Sequence, residues 1–291
     1  EIKRNNIPVI VLFEGWGAAG KGSLIGKTIL NLDPRGSSMF NTTKPTQEEL
    51  RKPFMNRFWC DIPQNGEIAF FDRGWYFEYS KKNKESINIF ERQLRDNGYL
   101  VIKIFLHITK EEQRARFGRL LASKNTAWRV TDKDLKENKN YDKSYKKYDE
   151  MLEETNTEYA PWNVISGMDK TEAMHEILSI IVENIEARIK SNDGDGIGIR
   201  PEDMQHELVD MPKLKDVDLA ICSMEEDEYR KTLKKLQKKL GRLAYRLYKK
   251  RIPLIICYEG WDAAGKGGNI KRVAASLDPR DYEVTPIAAP V

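Results

Sequence analysis

The sequence predicts an α/β fold in which a doubly wound parallel sheet carries helices on both faces. Three observations carry that prediction. Short apolar runs alternate with helix-period stretches between residues 7 and 190. The first run flows into a glycine turn ending in lysine. The same phrase returns near the other end, Lys21 matching Lys266 at an offset of 245 residues.

Ile7–Phe13 has no polar side chain, as in a strand covered on both faces of a parallel sheet. Gly15, Gly20 and Lys21 then fit the phosphate-loop spacing G-x-x-x-x-G-K. Glycines allow the turn to point several N–H groups at one anion, and the following helix adds the positive end of its dipole. The candidate phosphate-binding residues are therefore Gly15, Gly17, Ala18, Ala19, Gly20, Gly22 and Ser23, with Lys21 a mobile charge for the far phosphates. The hydroxyl that this motif usually turns to a metal falls on Gly22, and Ser23 comes one residue late. The second copy, Gly260, Gly265, Lys266, Gly267 and Gly268, has no hydroxyl at either place, which leaves a metal to carboxylates. The second loop contains one, Asp262, where the first has Gly17.

Leu24–Leu32 reads as a helix stopped by the Asp33–Gly36 turn, and Ser38–Thr43 as a weak second strand. Gln47–Trp59 reads as a helix with Arg51 and Arg57 toward solvent. Glu67–Asp72 is an apolar strand closed by a carboxylate, the pattern of a Walker B element. Asp72 would face the crevice at the strand ends and hold Mg²⁺, and Arg73 would clamp a phosphoryl oxygen. Ser86–Asn97 is a helix and Tyr99–Ile108 a fourth strand. Thr109 and Glu112 have capping-box spacing before a helix over Lys110–Leu121. Arg114, Arg116 and Arg119 on that helix, with Arg129 beyond it, suit a lid over phosphates or else a solvated basic face. Tyr141, Tyr145 and Tyr148 have helical spacing and read as packing residues. Trp162–Ser166 is a fifth strand and Thr171–Lys190 a closing helix.

Residues 1–190 thus form a first domain and 191–224 a linker. Residues 225–291 hold a helix and the start of a second phosphate-loop domain. The helix carries a seam of Leu233, Leu236, Leu240, Leu243 and Leu247 that must pack on the first domain, the second, or another copy, which leaves a homo-oligomer open. One strand and one helix cannot bury a core, so the second domain is expected to be incomplete in this sequence.

Net charge is +4, but Lys231–Arg251 alone holds ten basic residues and no acid, so the remainder carries −6. The basic block is read as a solvated helix face. No recognition spacing supports nucleic-acid binding. No apolar run is long enough to span a membrane and no signal peptide is visible. The three cysteines, Cys60, Cys222 and Cys257, lack metal spacing, and the expectation is a reducing, cytoplasmic setting. His107, His175 and His206 suggest no metal site.

Glu14–Gly22, Leu32–Arg35, Phe71–Tyr76, Phe90–Leu94 and Phe105–Ile108 with Glu112 and Gln113 together resemble the polyphosphate kinase type 2 family. The repeat is similar to its two-domain members, the polyphosphate:AMP phosphotransferases. The resemblance implies a P-loop, thymidylate-kinase-like fold, repeated in tandem. It also implies Mg²⁺-dependent transfer of a terminal phosphoryl group from polyphosphate to a nucleotide, AMP giving ADP. It places the loop lysine on Lys21 and Lys266, the loop aspartate on Asp262, the Walker B pair on Asp72 and Arg73, and lid arginines on Arg114, Arg119 and Arg129. The family's usual next serine is Gly74 here. Because Gly17 stands where the loop aspartate belongs, the first domain is expected to be impaired in catalysis. Two other readings stay open: a non-catalytic polyphosphate-binding scaffold, and an ATP-dependent nucleoside monophosphate kinase.

Overall fold

The computed structural model describes residues 1–33, 35–191, 214, 224–278 and 282–287. The expected linker therefore lies almost wholly outside the described residues. The chain divides into two compact units, Glu1–Glu207 and Leu208–Val291.

The first unit is built on a five-stranded parallel sheet in the order β2-β3-β1-β4-β5. Its strands are β1 (Val9–Gly15), β2 (Ser37–Asn41), β3 (Ile68–Asp72), β4 (Leu100–His107) and β5 (Trp162–Ser166). Every residue of β1 is buried, so both faces of the sheet centre are covered and the unbroken apolar run needs no polar side. Strand order reverses at β1, which has β3 on one side and β4 on the other. The crevice at that switch point is where open α/β sheets bind ligands. The helices are α1 (Lys21–Ile29), α2 (Asn56–Trp59), α3 (Lys84–Asp96), α4 (Lys110–Leu121), α5 (Asp132–Lys139), α6 (Tyr141–Glu154) and α7 (Lys170–Lys190).

Three expectations need correction. The helix expected over Gln47–Trp59 is two short turns, Glu49–Arg51 and α2. Pro53 has no N–H for a helical bond and forces Lys52 into an extended conformation (φ −103°, ψ 161°). Arg57 is not turned to solvent: it donates to Thr43 O and lies 3.4 Å from Glu49. The capping box at Thr109 is only half made. Thr109 accepts from the Glu112 N–H, but the Glu112 carboxylate is taken by Arg116 and Arg119. The complete box starts α5 instead, between Thr131 and Asp134.

β4 also departs from a plain apolar strand. Lys103, fully buried, donates to Glu91 (2.8 Å), Tyr76 Oη (3.0 Å) and Thr155 O (2.7 Å). Trp75 and Tyr76 donate to the same Glu91 carboxylate, so the buried pair is fully bonded.

The second unit contains α8 (Glu226–Lys250) and α9 (Lys266–Ala274). They meet where Gln237 donates to Arg272 O and where Gly241 admits Ser276 O. Leu236 and Leu243 of the seam are exposed. The strand expected before the second loop does not form: Leu254, Ile255 and Ile256 are exposed and pair with no strand among the described residues. A strand is stabilised by its neighbours, and β1 has two where this segment has none among the described residues. No helix among the described residues is long and apolar enough to cross a membrane.

Candidate functional site

The loop Gly15–Lys21 leaves the carboxyl end of β1. Gly15 has φ +121°, and a Cβ there would stand 2.2 Å from Leu106 O on β4, so only glycine lets the two strands approach. Trp16 is buried. It stacks on Tyr141 at 4.0 Å, meets Tyr148 edge-on and donates from Nε1 to His107 Nδ1. Tyr141 and Tyr148 of α6 are thus packing residues that brace the loop, whereas Tyr145, expected to pack with them, is exposed and meets His107 and Tyr141. His107 accepts through Nδ1, and burial pushes its pKa down. Ala18 (φ +59°) and Gly20 (φ +108°) close the turn, and Gly20 caps α1.

Lys21 is coiled back over the loop, its buried Nζ donating to Gly15 O (2.7 Å) and Trp16 O (3.0 Å). Burial pulls its pKa down and the charge of Arg73 adds to that, while Asp72, Glu14 and Glu137 oppose it. Lys266 of the second loop makes the same two contacts, to Gly260 O and Trp261 O, and Ala263 repeats the left-handed φ of Ala18. The two loops share a conformation although only the first sits in a sheet. Asp262, Gly265, Gly267 and Gly268 are exposed on the second.

Asp72 ends β3 in register with Phe13, at the strand end where the sequence places it. Its Oδ2 lies 3.5 Å from where a Cβ on Gly22 would stand. The carboxylate thus reaches the place of the missing hydroxyl, while Ser23 points to solvent. Arg73 takes a left-handed φ of +61°, its N–H bonded to Phe13 O and its guanidinium 5.6 Å from the Phe77 ring centre. At Gly74 a Cβ would lie 2.4 Å from Leu12 Cδ1, so a larger residue there requires the Leu12 side chain to shift.

Sequence reasoning gave no role to Glu14. It is buried at the tip of β1, accepts from Gly74 N–H (3.1 Å), and has its pKa pushed from 4.5 up to about 7 by burial. Lys21 and Arg73 restrain the rise. A charged residue closing an otherwise apolar strand was the available signal.

The arginines part company. Arg116 is buried and donates to Ala18 O (3.2 Å), Ala19 O (3.0 Å), Gly167 O (2.7 Å), Met168 O (3.0 Å) and Glu112. It ties the loop to the β5–α7 turn rather than serving a surface. Arg114 is exposed in a shallow cleft with Lys110, Leu135 and Asn138, Arg119 bonds Glu112, and Arg129 lies over Trp128. Gln113, wholly buried, bonds Gly17 O and Glu137, which brings α5 onto the loop. Among the described residues, no group of three or more His, Cys, Asp or Glu is arranged to hold a metal ion.

The family model for polyphosphate kinase 2 matches residues 1–193 and 223–291. A polyphosphate:AMP phosphotransferase of Pseudomonas aeruginosa is 30% identical over all of this chain and 61% of its own length. That of Pseudomonas syringae pv. tomato is 29% identical, over 97% of this chain and 59% of its own. The chain therefore spans about three-fifths of these relatives. The crystal structure of polyphosphate kinase 2 from Arthrobacter aurescens superposes with a TM-score of 0.59 at 25% identity, covering 62% of this chain and 69% of that one.

Proposed function

Since the chain belongs to the polyphosphate kinase 2 family, we propose that it serves a polyphosphate-dependent nucleotide phosphotransferase, moving a terminal phosphoryl group from polyphosphate to a nucleotide, AMP giving ADP. One observation carries the reading. Lys21 opens α1 at the end of the loop that leaves β1, and Asp72, whose charge acts on it, ends the adjacent strand β3. Phosphoryl transfer asks for positioning and charge neutralisation more than for a protein nucleophile. In this reading Lys21 uncoils from Gly15 O and Trp16 O to meet the far phosphates, and Arg73 clamps a phosphoryl oxygen. The loop backbone, held from behind by Arg116, binds the chain of phosphates. Asp72, and Asp262 in the second loop, are the residues that would hold Mg²⁺, which when bound neutralises phosphate charge. The exposed Arg114, Arg119 and Arg129 are lid residues that reach the site only on closure. Residues 1–190 form the first domain and 225–291 the start of the second, acting in the cytoplasm.

A second reading, a non-catalytic polyphosphate-binding domain, is favoured by Gly17 alone. Both are tested by ADP formation from AMP with Mg²⁺, comparing polyphosphate with ATP as donor, in the chain and in Lys21→Ala. Activity with polyphosphate that Lys21→Ala abolishes supports transfer by the first domain. Tripolyphosphate binding without ADP formation leaves the scaffold, and activity with ATP alone makes the chain a nucleoside monophosphate kinase.

A further inference from the structure

Gly17 is not among the glycines with a left-handed φ, so its backbone does not demand glycine; the space around it does. A Cβ there would stand 2.9 Å from Asp134 Oδ1, 3.2 Å from Glu137 Oε2 and 3.3 Å from Phe117 Cζ. The place of a side chain at residue 17 is already filled, and by two carboxylates, of which Asp134 comes nearer and Glu137 bonds the Gly17 N–H.

The Glu137 carboxylate is held on three sides. Glu137 Oε2 accepts from the Gly17 N–H (3.1 Å) and from Gln113 Nε2 (2.8 Å), and Oε1 accepts from Tyr148 Oη (2.8 Å). The holders are themselves fixed. Gln113 is buried, also donates to Gly17 O and accepts from Asn138. Tyr148 has its phenol pKa raised well above the ordinary value, by burial and by Glu137, so it remains a donor. Asp134 is locked by its capping box with Thr131. The charge of Glu137 is felt at Lys21 across the loop. In the second loop the corresponding residue, Asp262, carries its own carboxylate and bonds it to the next N–H, that of Ala263.

We propose that Glu137 is the loop carboxylate of the first domain, supplied by α5 in place of the aspartate that residue 17 lacks. The proposal rests on the phosphotransferase reading and changes one part of it: Gly17 then marks a relocated charge rather than a lost one. The ligand class is the hydrated divalent cation that accompanies a polyphosphate end. Glu137 is a positioning residue for it, in addition to Asp72, which would hold the metal in that reading.

The relocation predicts a compensation that a merely structural glutamate cannot show. In the full chain carrying Asp262→Ala and Lys266→Ala, so that the second loop is silent, Mn²⁺ affinity in the presence of tripolyphosphate is measured by electron paramagnetic resonance. Glu137→Ala weakens it by about tenfold or more, the range for a removed supporting ligand group. Gly17→Asp alone also weakens it, because the new side chain collides with Asp134 and Glu137. Gly17→Asp combined with Glu137→Ala brings the affinity back toward that of the parent. If Glu137→Ala fails to fold, Glu137→Gln keeps the shape and removes the charge, and the same loss is expected. Unchanged Mn²⁺ affinity in the Glu137 variants, or a loss that Gly17→Asp does not repair, overturns the inference while tripolyphosphate still binds. Absence of tripolyphosphate binding in the parent overturns the phosphotransferase reading as well.

Discussion

Replacing Arg116 by methionine removes the strut behind the phosphate loop while keeping much of its aliphatic volume. The guanidinium bonds four backbone carbonyls, two on the loop at Ala18 and Ala19 and two on the β5–α7 turn at Gly167 and Met168. Hydrogen bonds to a charged donor contribute about 1.5–3 kcal/mol each and do not add fully. Glu112, the remaining partner, is a quarter exposed and can be rehydrated, so it limits the loss. The expected cost is about 3 kcal/mol, the lower end for breaking a buried ionic contact. For a unit of this size that lowers the melting temperature by about 6–12 °C. Arg116→Lys recovers only a minor part, since one ammonium cannot reproduce a planar fork over four acceptors. The assay is thermal unfolding followed by near-ultraviolet circular dichroism of the tryptophans, with tripolyphosphate affinity measured on the same samples. Affinity falls by about tenfold, equivalent to 1.4 kcal/mol, as the loop loses its backing. A melting shift under about 2 °C with unchanged affinity would refute the view that Arg116 holds the loop.

Glu14 makes stability depend on pH with a defined sign. Its folded pKa of about 7 lies above the ordinary 4.5, so the unfolded chain loses the proton first as pH rises. Its contribution is intact below 4.5 and falls away by about pH 7, a displacement equivalent to about 3 kcal/mol. Glu14→Gln should flatten that slope in denaturant titrations, and an identical slope in both proteins counts against the buried carboxyl. His107 acts in the opposite sense. Its folded pKa is lowered by burial, and protonation would set an N–H against the Trp16 N–H, so stability declines as pH drops below the ordinary 6.5. His107→Asn, which keeps an acceptor and cannot titrate, removes this decline; tryptophan fluorescence between pH 8 and pH 5 checks it. Lys103→Met leaves the Glu91 charge buried without its cation and costs about 3–5 kcal/mol, while Lys103→Met with Glu91→Gln regains more than half. Equal unfolding midpoints for the single and double variants would contradict that pairing.

The core of the fold was legible because its signals are local. An apolar run ending in glycines needs no distant partner to be recognised, and β5 and α4 were read with their observed bounds. Pro53 was equally visible in the sequence but was outweighed by the aromatic spacing of Phe54, Phe58 and Trp59, so the helix there was overdrawn. Of the candidate site, the placement of Lys21 and Asp72 was legible because motif spacing and strand position agree. Arg116 was not separable from Arg114 and Arg119. All three lie on one short helix, and only packing decides which of them turns under the loop.

The sequence by itself determined the parallel sheet, the place of Lys21 at the end of the first glycine turn, the place of Asp72 at the end of its strand and the repetition of the loop, since each is set by periodicity or by spacing within a few residues. Only the tertiary structure decided what backs the loop and what charges its edge. Arg116 meets Ala18 and Ala19 nearly a hundred residues away, and Glu137 meets Gly17 across 120. Such pairs carry no local signature. A carboxylate that arrives from another helix looks, along the chain, like any charged residue on a solvated face. It is identified only by the donors that close around it and by the glycine that makes room.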